Sequence, residues 1–311
     1  MYIHLHGHSH YSLLEAIGKV GKIIDKAKEL GFPAIGITDY HGMYGLMEFY
    51  TRSKKADFKA ICGIEMTLTT ILGKKPEGES FLTLIAKNYD GYKALMKMTT
   101  LASTKWMCEI PTITRDILSE YADNLICILG APRSILWLWI RQGKTIDQLK
   151  DDIQPFKKLF GDRLVLELIA QDYDVVQWIQ HANDQIIMLS EQEHLSCIVS
   201  SNFHYVAPKD KESYEVAMAI KDQKQMTDPS RRRVIGDYHI MSEQEVHDIM
   251  TKNGFSDNQI QQYFAINQTI CDSIDLVLPK PIPKFPLYRN PQKFVDLYEK
   301  LKDRLVVVDS I

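Results

Sequence analysis

Four histidines stand at alternate positions near the start of the chain: His4, His6, His8 and His10. In an extended strand such residues project from one face, and the intervening Ile3 and Leu5 project from the other. A strand with imidazoles on one side and aliphatics on the other suits the end of a buried sheet that opens into a metal pocket. Neutral imidazole is a ligand for zinc, iron and manganese. Glu15, seven residues after His8, could close such a site with a carboxylate. The competing reading is a polar segment whose histidines are satisfied by ordinary hydrogen bonds.

A metal pocket needs rigid walls, and the rest of the chain reads as strands alternating with helices. Strands are expected near residues 2–6, 34–38, 60–66, 82–86, 125–129, 164–169 and 197–201. Val20, Ile23, Ile24, Ala27 and Leu30 recur at helical spacing, with Gly31 as a stop. Residues 67–84 read as a hairpin turned over Gly73 to Gly78, and residues 175–194 as a long helix. The alternation argues for a parallel sheet with crossover helices. Asp39, Glu65 and His204 fall at expected strand ends, as His6 and His8 do, and reactive groups gather there in α/β barrels. Beyond Tyr205 the pattern turns helical, over about 211–221, 242–250 and 257–274.

Composition narrows the field. The chain has 311 residues, 45% hydrophobic and 25% charged, with a net charge of −3. That balance is ordinary for a soluble domain and lacks the basic field of a chain that grips nucleic acid by itself. The one concentrated basic run, Arg231-Arg232-Arg233, reads as a solvated loop, or alternatively as a contact to phosphate or an acidic partner. Cys62, Cys108, Cys127, Cys197 and Cys271 form no paired motif, so a disulfide framework and a zinc ribbon are both excluded and a reducing cytoplasm is expected. A signal peptide is not expected ahead of the first strand. The run from Ile135 to Ile140 is too short for a membrane span and reads as a buried or partner-facing helix.

The segment His6-Gly7-His8-Ser9-His10-Tyr11-Ser12-Leu13-Leu14-Glu15 resembles the first motif of the PHP (polymerase and histidinol phosphatase) domain. It is most similar to the version found at the N-terminus of the alpha subunit of bacterial DNA polymerase III. The resemblance continues through Ile37-Thr38-Asp39, Gly45 to Tyr50, Ile61 to Glu65, Leu84 to Asn88, Asn124 to Cys127 and Ser201 to Tyr205, and ends at Ile282-Pro283-Lys284-Phe285-Pro286. It implies a distorted seven-stranded (βα)7 PHP barrel over residues 1–278 with a helical C-terminal extension. Residues 279–311 would then be a proline-rich, extended linker and the start of a palm-side region, including an amphipathic helix over about 291–305. The chain stops soon afterwards, so a fragment or a truncated relative is expected.

In active PHP domains, the resemblance implies, nine residues hold up to three metals. Five of those positions keep a ligand here: His6, His8, Glu15, Glu65 and His204. Four do not: Tyr40 and Phe81 stand where histidines are expected, Ala131 where a cysteine is, and Asn202 where an aspartate is. His41, one residue late, is the candidate substitute. A cluster of divalent ions needs carboxylates to offset its charge, so zinc or manganese is expected only at reduced stoichiometry and without the paired ions of a phosphoesterase. The resemblance therefore implies a replication protein: the PHP region of an alpha subunit, mainly a structural and docking platform. Its partners would be the rest of the polymerase chain, a proofreading exonuclease subunit and, in the full-length protein, DNA. The alternative is a metal-dependent phosphoesterase or 3′–5′ exonuclease. A free-standing histidinol-phosphate phosphatase fits less well, because of the matches at Gly45 to Tyr50 and Ile282 to Pro286.

Overall fold

The computed structural model describes residues 1–70, 78–105, 110–280 and 292–302. The chain divides into two units, Met1–Val277 and Leu278–Ile311. The first carries the strands β1 (Ala34–Tyr40), β2 (Lys59–Leu68), β3 (Phe81–Ala86), β4 (Thr112–Ile113), β5 (Leu125–Leu129), β6 (Leu164–Ile169) and β7 (Ser196–Ser200). Its helices are α1 (Val20–Glu29), α2 (Leu46–Lys55), α3 (Tyr89–Thr104), α4 (Arg115–Tyr121), α5 (Ile135–Arg141), α6 (Ile146–Phe160), α7 (Gln177–Glu193), α8 (Lys211–Lys221), α9 (Glu243–Lys252) and α10 (Asp257–Ser273). The second unit contains α11 (Gln292–Leu301), within the expected amphipathic helix. The expected turn at 73–78 falls mostly, and the 282–286 strip wholly, outside the described residues, as does Cys108.

The sheet runs β1-β2-β3-β5-β6-β7, with β4 paired to β2. It is mixed, not parallel throughout: β3 is antiparallel to both β2 and β5. The reason is local. A hairpin joins β2 to β3, and a parallel return would need a long crossover. The remaining neighbours are parallel and flanked by helices. Cys62, Cys127, Cys197 and Cys271 are buried free thiols, as the sequence leads one to expect.

The strand expected at 2–6 is not a strand of this sheet, yet it completes the barrel. Gly36 N–H donates to His4 O (2.7 Å) and Thr38 N–H to Gly7 O (2.8 Å), which ties the segment to β1. On its other side His8 N–H donates to Phe203 O (2.8 Å), just beyond β7. The segment thus joins the two edges of the curled sheet. Gly36 makes the approach feasible, because a Cβ there would lie 2.4 Å from Leu5 O.

The expectation of one imidazole face is corrected here. Ile3 and Leu5 point into the barrel, joining Ile61, Ile85, Ile126, Ile128, Val165 and Ile198 in the core. His4 turns the other way, among Tyr2, Phe32 and Phe203. A bend at His6 then shifts the phase, so that His6 and His8 face inward as well. The hydrogen bonds above show the irregularity: Gly36 and Thr38 are two residues apart on β1, but their acceptors, His4 and Gly7, are three apart, so the segment carries one extra residue there.

The inward positions alternate along each strand. Ile61 shares a face with Glu65, Ile85 with Thr83, and Val165 with Glu167. Aliphatics therefore fill one end of the barrel and polar groups line the other. Ile270, Cys271 and Ile274, in and just after α10, pack against the aliphatic end. Asn267 stitches that helix in place: its Nδ2 donates to Ile3 O (2.8 Å) and Val199 O (3.1 Å). The polar end, where the parallel strands finish, is left for chemistry.

His4 makes this wall pH-sensitive. Its Nε2–H donates to Met241 O (2.8 Å), and burial lowers its pKa to about 4. Below the ordinary value near 6.5, the unfolded chain takes up a proton that the folded chain refuses. The stabilisation is therefore complete above pH 6.5 and is lost as pH falls towards 4, by on the order of 3 kcal/mol over that window. Urea unfolding at pH 7.5, 6 and 5 should show this decline, and a His4→Phe variant should show a shallower one. Equal slopes for the two proteins would remove His4 as the cause.

Candidate metal centre

Three donors converge at the polar end: His6, His8 and Glu65, whose ligand atoms lie within 4.8 Å of one another. All three are buried. His6 is clamped from both sides. Its Nδ1 lies 2.9 and 3.0 Å from the two oxygens of Glu167, and its Nε2 lies 3.3 Å from Glu65. Burial works against a charged imidazole, but the two carboxylates outweigh it and raise the His6 pKa to about 10. Glu65 shows the converse. Burial favours its neutral form, and the hydrogen bond from His6 with the nearby imidazole of His8 overrides this and holds it ionised.

His8 differs from His6. Its Nε2 is 3.3 Å from Glu65 but without hydrogen-bond geometry, and its Nδ1 has no partner at all. Its ring stacks on Tyr40, with centroids 4.2 Å apart and planes 11° apart. A buried imidazole with both nitrogens unsatisfied is costly unless something ligates it. The donor set, two histidines and a carboxylate, is one that holds a single zinc ion with an open position. These residues fit one divalent ion.

The other two expected ligands are engaged elsewhere. His204 donates from Nδ1 to Asn202 O (2.7 Å), and its Nε2 faces the Tyr40 hydroxyl at 3.3 Å. Burial, then the proximity of His8, hold it neutral, with a pKa well below the usual range. Glu15 is ion-paired to Lys221, at the end of α8, and to Arg133 (3.3 Å). Burial would raise its pKa, but Arg133 and Lys221 pull it below the ordinary carboxylate value. His41, the candidate substitute, bonds Thr67 Oγ1 at 2.8 Å, and burial lowers its pKa to about 4.

Arg133 lies over Tyr40 and Phe81, the two positions where the resemblance implies histidines. Its guanidinium carbon is 4.7 Å from the Tyr40 ring centroid and 4.6 Å from that of Phe81. Its Nε donates to Glu79 (2.8 Å). It follows Ala131, which is buried behind Gly130. Gly130 has φ +142°, and a Cβ there would meet Glu167 O at 2.1 Å, so this turn presses directly on the strand that carries Glu167. A fixed cation thus lies over the rings of Tyr40 and Phe81 at the barrel mouth.

Sequence reasoning missed Glu167, Arg133 and Lys221. Glu167 had a signal: it is the single charge in Leu164-Val165-Leu166-Glu167-Leu168-Ile169, in phase with inward Val165. The two cations had none, because their role depends on loop placement. Asp39 sits beside the centre but outside it, accepting from Ser9 N–H (2.7 Å), Ser9 Oγ (2.7 Å) and Ser12 Oγ (2.6 Å). It fixes the turn that leads to Glu15.

The PHP domain family model matches residues 4–171. The chain belongs to the PHP domain family. Among curated relatives of this PHP chain, DNA polymerase III subunit alpha of Borreliella burgdorferi is 30% identical, covering 97% of this chain and 26% of the relative. The same subunit of Thermus aquaticus is 27% identical, covering 98% of this chain and 26% of the relative. The PHP chain therefore spans about a quarter of the length of these relatives. Among solved structures, a two-domain Bacteroides vulgatus protein containing a predicted PHP-like metal-dependent phosphoesterase is 11% identical, with a TM-score of 0.38, covering 85% of this chain and 68% of that one. An amidohydrolase from Chromobacterium violaceum is 10% identical, with a TM-score of 0.42, over 66% and 88% of the two chains.

If Arg133 holds Glu15 in place of a metal, the two must be energetically coupled. Arg133→Met leaves Glu15 and Glu79 short of a partner and should destabilise the fold by about 1–3 kcal/mol. In an Arg133→Met/Glu15→Gln double mutant the loss should be less than the sum of the singles. Strict additivity in urea unfolding would refute the coupling.

Proposed function

We propose that this chain is the PHP region of a replicative DNA polymerase III alpha subunit, acting mainly as a scaffold and docking platform for the rest of that polymerase and its proofreading partner. The relatives that match nearly the whole chain support this reading. The observation that carries it is the diversion of Glu15 to Arg133 and Lys221, with Tyr40 and Phe81 beneath the guanidinium. A mouth neutralised by its own side chains does not depend on metal to fold, as suits a scaffold. No helix among the described residues is long and apolar enough to cross a membrane, and a cytoplasmic setting fits the buried free thiols.

A second reading, a metal-dependent phosphoesterase or 3′–5′ exonuclease, is favoured by the unsatisfied nitrogens of His8 beside Glu65. An ion bound there, zinc or manganese, would act as a Lewis acid toward a phosphoryl oxygen. His6, His8 and Glu65 would hold it, Glu167 would orient His6 through Nδ1, and Tyr40 and Phe81 would exclude water from one side. Among the described residues no second cluster lies beside it to steady a leaving oxygen.

Metal analysis, thermal unfolding and hydrolysis assays separate the two. We expect at most one equivalent of zinc or manganese, a change of no more than a few degrees in Tm on adding a strong chelator, and little turnover of a phosphomonoester or a 3′-ended oligonucleotide. Three tightly held equivalents, a loss of many degrees on chelation, or hydrolysis that vanishes in His8→Ala would each reverse the order of the readings.

A further inference from the structure

Beside the barrel mouth lies a cleft of about 460 Å³ that contains none of the metal-ligand positions. Its walls come from α5, from the amino-terminal turn of α7, from the turn before α5 and from the loop that holds Arg232. The side chains that matter are Arg133, Trp137, Arg141, Trp178, His181 and Arg232. Its volume is in the range of sites that enclose a small organic ligand.

We propose that this cleft binds a nucleoside phosphate, with the phosphate on the arginines and the base on Trp178. Three arginines line the cleft. Arg133 is paired with Glu79 and Glu15, and Arg232 with Asp222, which leaves Arg141 as the uncompensated cation among the described residues. Arg232 is held by both oxygens of Asp222 (2.6 and 2.7 Å), which fixes its guanidinium. Arg141 is exposed and makes no ion pair among the described residues, so its donors are free for a ligand. Guanidinium groups are the side chains best shaped for bidentate phosphate contact.

The second half of the argument is aromatic. Trp178 is 47% exposed, a large apolar surface for a folded domain to leave open. Its ring is not loose: it meets buried Trp137 edge-on, with centroids 4.9 Å apart and planes at 83°. A fixed, half-open indole next to fixed guanidinium groups is the pairing that recognises stacked bases with their phosphates. An inorganic anion alone would leave Trp178 unexplained, and an apolar ligand would leave Arg141 unexplained.

A second cavity of about 210 Å³ shares Pro132, Arg133 and Trp178 with the cleft and reaches Tyr40, Asn202 and His204. Arg133 is thus the wall common to the cleft and the barrel mouth. Asn202 Oδ1 is buried there without a partner. The site is independent of metal, so the proposal stands whether or not the barrel hydrolyses anything.

The chemistry fits a free nucleotide or the end of a single strand, and the test distinguishes them. The probes are dAMP, inorganic phosphate and an eight-residue deoxyadenosine oligomer, added to the 311-residue chain with tryptophan fluorescence and calorimetry as readouts. We expect dAMP to quench fluorescence and to bind more tightly than phosphate. Trp178→Ala should weaken dAMP by about five- to 150-fold while sparing phosphate, the fold-change that stacking of one base on an aromatic ring is worth. Arg141→Ala should weaken both probes. Both residues are exposed, so neither variant threatens the fold, and circular dichroism checks this. An oligomer that binds at least tenfold tighter than dAMP identifies a strand end, and equal or weaker binding identifies a free nucleotide. Absence of dAMP and oligomer binding at millimolar concentration, or binding unchanged in both variants, overturns the proposal.

Discussion

The constraint on which the barrel mouth depends is the compensation of buried negative charge. Glu65 and Glu167 are buried at the polar end, and Glu15 is partly buried. Leaving any of them ionised without a partner would be prohibitive, and neutralising them would forfeit their hydrogen bonds. In this chain the partners are built in. His6, with its pKa raised, lies between Glu65 and Glu167, while Lys221 and Arg133 hold Glu15. Every other feature of the mouth follows from where those cations sit.

The same constraint accounts for the residues beneath Arg133. Tyr40 and Phe81, where the resemblance implies histidines, are flat faces on which a guanidinium rests, and Ala131, where it implies a cysteine, is buried. A cation over an aromatic ring keeps its charge while giving up hydration at little loss. The two rings and Arg133 therefore act together: the rings accept the arginine, and the arginine supplies charge to Glu15.

Much of this was legible in the sequence, for physical reasons that also mark its limits. Strands β5 and β6 were found because buried strands are continuous apolar runs, and α1 because its buried face repeats at helical spacing, ending at Gly31 with φ +77°. The histidines were found because alternation is a strong signal, yet the alternation misled about His4, since one extra residue between His4 and Gly7 shifts the phase at a bend that no periodicity encodes. The antiparallel turn into β3 was legible, because residues 67–84 read as a hairpin, whereas the expectation of a parallel sheet did not extend to β3 and its neighbours, since strand periodicity is identical for the two kinds of pairing. Glu167 was available to a reader who asked why a charge sits inside an apolar strand. Arg133 and Lys221 were not, because the carboxylate they share, Glu15, is more than a hundred residues from either in the chain.

The geometry leaves an unequal pair of half-sites. On one side His6, His8 and Glu65 retain donors, with His8 unsatisfied. On the other, Glu15 is saturated by two cations and His204 has turned its lone pair to Tyr40. A second ion would have to approach Arg133 and Lys221 and displace them from Glu15. Like charges at such separations repel by several kcal/mol at the effective dielectric of a partly buried site, roughly 4 kcal/mol at 4 Å. The first ion would meet one cation, the His6 imidazolium, whose Nε2 proton it would displace on binding, with Glu65 and Glu167 beside it to offset the charge. One half of the mouth has thus been closed by charge as well as by shape. Further loss of ligands on the His8 side would leave Glu65 to be neutralised by His6 alone, which already serves Glu167.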